Sequence, residues 1–112
     1  MLTIENLRSY GANVDEGIKR CVNNEEFYLE MVNKALSDPT FDRLVSAIGD
    51  KNLDDAFEVA HALKGVLSNL ALTPISEPVS EMVELLRNRT DTDYGPYLTK
   101  IKEKKDELVK LI

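Results

Sequence analysis

Few side chains in this sequence could do covalent or metal chemistry. In 112 residues there is one histidine, His61, and one cysteine, Cys21. A lone cysteine excludes an internal disulfide and a cysteine-rich metal cluster. A lone histidine excludes sites that need two imidazoles, such as the HExxH zinc proteases. Little room is left for a catalytic triad, but a histidine can work alone. Imidazole suits that role because its neutral form is a nucleophile near pH 7 without an activating base. Asp54 and Glu58 lie near His61 in the sequence. They make no convincing metal cage and are read as docking or solvating charges. The chain has no glycine-rich phosphate loop, so no ATP site of its own is expected.

The rest of the chain must hold that histidine. The composition is 43% apolar and 30% charged, the balance of a soluble domain. Residues 1–112 are read as a single domain, long enough for one hydrophobic core and too short for two. Lys and Arg total 14 against 20 Asp and Glu, for a net charge of -6. Such an acidic domain is a poor partner for nucleic acid, which needs clustered positive charge. Anionic membrane surfaces are disfavoured for the same reason. No apolar run approaches the ~18 residues of a membrane helix. The opening segment MLTIENLRSYG lacks the apolar core of a signal peptide. A reducing, cytoplasmic location is expected.

Glycines and prolines fall mostly between segments of helical period, and no segment alternates like a strand. The chain reads as all-α. Short helices are predicted from Leu2 to Tyr10, ending at Gly11, and from Val14 to Cys21. Asn24 looks like an N-cap with Glu25 and Glu26 in the first turn. The helix it starts is interrupted at Asp38-Pro39 and continues to Gly49. From Leu53 to Leu72 the apolar positions Leu53, Ala56, Ala60, Leu63, Leu67 and Leu70 form the seam of a packed helix. Thr73-Pro74 reads as a cap and first-turn proline for a helix that fades at Arg87 to Arg89. Gly95-Pro96 restarts a last helix, whose lysine-rich side is read as a solvated face. Four long amphipathic helices with short connections predict an antiparallel, up-and-down four-helix bundle with short additional N-terminal helices.

At 100° per residue, His61 lies roughly 130° from the seam, on the exposed side. Asp54, Glu58, Gly65, Ser68 and Leu72 share that side, while Phe57 and Lys64 lie between it and the seam. An exposed histidine is ordinarily a plain surface residue, but three neighbours argue otherwise. Lys64, at i+3, can reach anything attached to the ring. Gly65, at i+4, sits inside an otherwise strong helix, where glycine costs ~1 kcal/mol relative to alanine. It removes the side chain that would overhang the ring. Phe57 and Leu72 put apolar surface near the same stripe, which suits docking by a partner.

Ala60-His61-Ala62-Leu63-Lys64-Gly65, followed by Asn69-Leu70, resembles the AHxLKG motif of histidine-containing phosphotransfer (HPt) domains. Upstream, Gly17-Ile18-Lys19-Arg20 followed by Phe27-Tyr28 resembles that family's GxxR…(F/Y)Y stretch. The resemblance spans roughly Val14 to Leu111. Val66, Leu67 and Ala71 depart from the family pattern, which favours small residues after the motif glycine and glycine after Asn-Leu. A packing change rather than lost chemistry is expected from Val66.

The resemblance implies a relay. A receiver-domain aspartyl phosphate donates its phosphoryl group to His61, which passes it to an aspartate of another receiver. Lys64 would stabilise the phosphoryl oxygens and Gly65 would leave access for the receiver. Asp54, Phe57, Glu58, Ser68 and Leu72 would contribute to docking. The implied partners are receiver domains of a hybrid histidine kinase and of a response regulator, met by a monomer. No cofactor of its own is expected, because Mg²⁺ would come with the receiver. The alternative is a helical adaptor that binds a receiver without phosphotransfer. A dimerising histidine-kinase fragment is weaker, since an acidic residue would be expected where Ala62 stands.

Overall fold

Side-chain caps and left-handed turns cut the chain into helices. The computed structural model describes residues 2–112. Among them are seven α-helices and no strand: α1 (Ile4–Tyr10), α2 (Val14–Arg20), α3 (Glu25–Leu36), α4 (Thr40–Gly49), α5 (Leu53–Asn69), α6 (Thr73–Arg87) and α7 (Gly95–Val109). The all-α expectation holds, and the Asp38-Pro39 interruption separates α3 from α4.

Three N-termini are capped by side chains. Thr3 accepts from the Asn6 amide at 3.1 Å, Asn24 from Phe27 at 3.1 Å and Asn52 from Asp55 at 3.2 Å. Each satisfies a first-turn donor that has no partner within its helix. At α4, Asp38 accepts from the Thr40 amide at 2.8 Å. Thr73 is not a cap, as its sequence position had suggested. It is the first residue of α6, and the preceding Leu72 offers no side-chain cap. The helix continues through Pro78, its sixth residue, whose missing N–H leaves the Pro74 carbonyl without its ladder bond.

The C-termini share a device that the sequence hides. Lys51, Ala71 and Arg89 follow α4, α5 and α6 in left-handed conformations, with φ of 57°, 55° and 52°. The next amide in each case reaches back five residues, Asn52 to Ala47, Leu72 to Leu67 and Thr90 to Leu85, all at 3.0 Å. These bonds cap otherwise open carbonyls and reverse the chain. Glycine usually takes the left-handed position, and none of these three is glycine.

The short reversals make α4 through α7 sequential neighbours, with α5 packed on α4 and α6, and α6 on α7. Lys105 of α7 sits 4.6 Å from the Phe41 ring centroid of α4, which brings the first and last of the four together. The N-terminal helices pack against this bundle. Tyr10 of α1 donates to the Lys104 carbonyl of α7 at 2.5 Å, and burial pushes its phenol pKa well up. Leu7, Leu44, Leu67, Ile75, Met82, Leu86 and Leu108 are among the fully buried side chains. Each such burial contributes about 1.5–3 kcal/mol.

Candidate functional site

The middle of α5 presents His61. Ala56, Ala60, Leu63 and Leu67 are buried on its inner face, and Leu70 just beyond it, while Leu53 is half-buried. This fixes the helix phase and leaves Asp54, Glu58, His61 and Gly65 exposed, as the wheel predicts. Neither ring nitrogen of His61 has a hydrogen-bond partner among the described residues. Lys64 is half-buried one turn on, and its ammonium has no ion pair there. A Cβ placed on Gly65 would meet nothing within 4 Å. This glycine therefore does not serve close helix packing. Its absent side chain leaves the surface beyond the imidazole open, because helical side chains lean toward the preceding turn.

On the N-terminal side of His61 the surface is occupied by two arginines from the end of α6. The Phe57 ring lies 5.7 Å from the His61 ring, centroid to centroid, tilted by 33°. The Arg87 guanidinium also meets this ring, 5.5 Å from the Phe57 centroid. Arg89 pairs with Asp54 at 2.6 Å. Both charged groups are exposed, so the pair adds little stability, but it ties the end of α6 to the first turn of α5. Neither arginine was anticipated from sequence. The signal was available in the hairpin: Phe57 and Arg87 stand equal steps either side of Leu72, where α5 turns into α6.

The C-terminal end of α5 is braced from outside the bundle. Tyr28 of α3 is fully buried and donates to the Leu70 carbonyl at 2.9 Å. Burial, with Cys21 nearby, pushes its phenol pKa up to about 12. Gly17 of α2 makes room for that ring: a Cβ there would stand 2.4 Å from Tyr28 Cε1 and 2.9 Å from the Leu70 oxygen. Arg20 donates to the Ser68 carbonyl at 2.6 Å, and the Asn13 amide to the Ala71 carbonyl at 3.0 Å. The stretch from Asn13 to Tyr28 thus serves carbonyls at and just beyond the end of the histidine-bearing helix.

Two expectations are corrected here. Leu72 is fully buried and offers no docking surface. The helix ends at Asn69 and the chain reverses through Ala71, so the wheel that placed Leu72 beside His61 no longer applies. Val66 is 45% exposed, so it adds surface rather than changing the packing, while Leu67 takes a core position. Of the other anticipated docking residues, Asp54 is held by Arg89, Phe57 is half-buried between Arg87 and His61, Glu58 is exposed and Ser68 is half-buried.

No curated protein and no solved structure matches the chain. Residues 29–110, from α3 to the end of α7, match the family model described as the Hpt domain. Gly17 to Tyr28 precede that match, although they pack against the helix that carries the motif. With this match over most of its length and an exposed histidine at the motif position, the chain belongs to the Hpt domain family, whose members carry out histidine phosphotransfer in two-component systems.

Proposed function

We propose that the chain is a phosphorelay intermediate that accepts a phosphoryl group on His61 from a receiver-domain aspartate and passes it to a response-regulator aspartate. The carrying observation is the exposed His61 with an uncommitted lysine and an open glycine on the following turn. In this reading Nε2, the nitrogen farther from the backbone, attacks phosphorus. The bond from phosphorus to the aspartyl oxygen breaks, and the carboxylate leaves with the electron pair. Nδ1 keeps its proton, so the ring becomes a phosphorylated imidazolium. Transfer onward is the reverse step with a second carboxylate as nucleophile.

Phosphoryl transfer passes through a loose transition state, so positioning and charge neutralisation carry the catalysis. The Lys64 ammonium has the reach and the freedom to approach the phosphoryl oxygens. Mg²⁺ belongs to the receiver's side of the interface. The partners are receiver domains, one from a hybrid histidine kinase and one from a response regulator, docking over Gly65. The protein works as a monomer in the cytoplasm.

The test is to mix the protein with a phosphorylated receiver and follow acid-labile label. His61→Gln is expected to keep its helical circular dichroism and lose all such label. Label retained in that variant overturns the assignment. Wild-type protein that binds the receiver without taking label would make it an adaptor.

A further inference from the structure

Arg87 lies outside the histidine motif and on another helix, yet it is one ring away from the imidazole. It is the last residue of α6, where the helix dipole favours a cation. Its position is set from three sides. Glu84, one turn back, holds its guanidinium at 3.5 Å. Asp54 pairs with Arg89, two residues on. The guanidinium itself sits 5.5 Å from the Phe57 centroid, and Phe57 in turn sits 5.7 Å from His61. Phe57 also packs on the hydrophobic core, so its ring is anchored on one edge and sandwiched between two groups.

His61 has no such restraint of its own. It is exposed and neither nitrogen is hydrogen-bonded among the described residues. The usual device for orienting a nucleophilic or basic histidine, a carboxylate or carbonyl on the second nitrogen, is missing. An aromatic wall beside the ring can do the same work by limiting its rotamers. The attraction between a cation and an aromatic face keeps that wall from swinging out to solvent.

We propose that Arg87 is a positioning residue for the phosphoacceptor: by holding the Phe57 ring it sets the orientation in which His61 meets the phosphoryl group. This rests on the reading of His61 as the phosphoacceptor. The guanidinium acts through Phe57 and makes no contact with the reacting atoms. Lysine can supply the same cation to the ring face, whereas methionine keeps the length of the stem and removes the charge.

Because His61 is the only histidine, its Hε1 and Hδ2 resonances report the neighbouring ring current without ambiguity. Arg87→Met and Phe57→Leu are expected to move these resonances in the same direction, with Arg87→Lys close to wild type. Arg87→Met is expected to slow phosphotransfer from a phosphorylated receiver by about threefold. In the Phe57→Leu background the same change should have no further effect, since the pair acts as a unit. Equal slowing in both backgrounds would overturn the proposal, because Arg87 would then act directly on the phosphate or the receiver. Unmoved His61 resonances in Arg87→Met would also overturn it. If the wild-type chain takes no label, the relay reading fails. The resonance shifts then still decide whether Arg87 orients the ring.

Discussion

Gly17 and Gly65 look alike in the sequence, each a glycine inside a helix, yet they mark opposite kinds of region. Around Gly17 the protein is full: a Cβ would stand 2.4 Å from the buried Tyr28 ring. Around Gly65 it is empty, with nothing within 4 Å of the same atom. One end of α5 is clamped by α2 and α3, while its middle is kept bare. The difference separates the two uses of a missing side chain, close packing and access for a partner. It also locates the rigidity that an exposed nucleophile needs. His61 stands on a helix whose far end is fastened at Ser68, Leu70 and Ala71 by groups from the N-terminal segment.

The comparison breaks most visibly at Gly17. Gly17→Ala must displace Tyr28 or the Leu70 carbonyl, and overpacking of this kind costs about 3 kcal/mol. Urea denaturation should show a large fall in midpoint. Phosphotransfer at low temperature should change much less, since the change is remote from His61. A variant as stable as wild type would mean that α2 does not press on α5 in solution.

Lys64 belongs to the open region and should affect chemistry without affecting stability. Lys64→Ala is expected to slow transfer from a phosphorylated receiver by about tenfold, or about 1.4 kcal/mol of barrier. Added salt should narrow the difference, because the ammonium is partly in solvent. Rapid-quench measurement of the transfer rate checks this, and a full-speed variant removes Lys64 from the mechanism.

The smallest effects sharpen the contrast most, because opposite exchanges, glycine to alanine and alanine to glycine, should both stabilise at positions only six residues apart. Gly65→Ala should stabilise the protein by about 0.5–1 kcal/mol, since it restores helix propensity in open space. Gly65→Gln should also remain stable while transfer falls sharply, because the longer chain covers the approach to the ring. Ala71, by contrast, holds a left-handed φ of 55°, a conformation that disfavours any Cβ. Ala71→Gly should therefore stabilise by about 1 kcal/mol. Thermal melts of the two alanine–glycine exchanges, made singly and together, test both. Unfolding in Gly65→Gln would mean that the open face is in truth a packed one.

These positions also show what the sequence could and could not reveal. The phase of α5 was readable because Ala56, Ala60, Leu63 and Leu67 repeat at helical spacing. The exposure of His61 and Gly65 followed from it. The Asn24 cap was readable because its side-chain oxygen needs only the local backbone. Leu72 was misread because the boundary signal in its neighbourhood, Thr73-Pro74, comes only after the helix has already ended at Asn69. A glycine would normally mark that reversal, and the chain has Ala71. Arg87 and Arg89 stayed hidden for another reason. Their meeting with Phe57 and Asp54 depends on how one helix lies along the next, which no periodicity within a single helix encodes.

That dependence makes the reversal at Leu70 to Leu72 a phase setting for the whole hairpin. Arg87 lies roughly 22 Å along α6 from Leu72, at 1.5 Å per residue. One residue inserted in the first turn of α6, just after the reversal, would advance the rest of that helix by about 1.5 Å and turn it by about 100°. If the buried stripe of α6 turned back to recover its packing, its end would slide past Phe57 and leave the arginine out of register. The surroundings of the histidine are therefore specified partly by a residue count at the far end of the molecule, much as the pitch of a string is set at the peg and not where it is plucked.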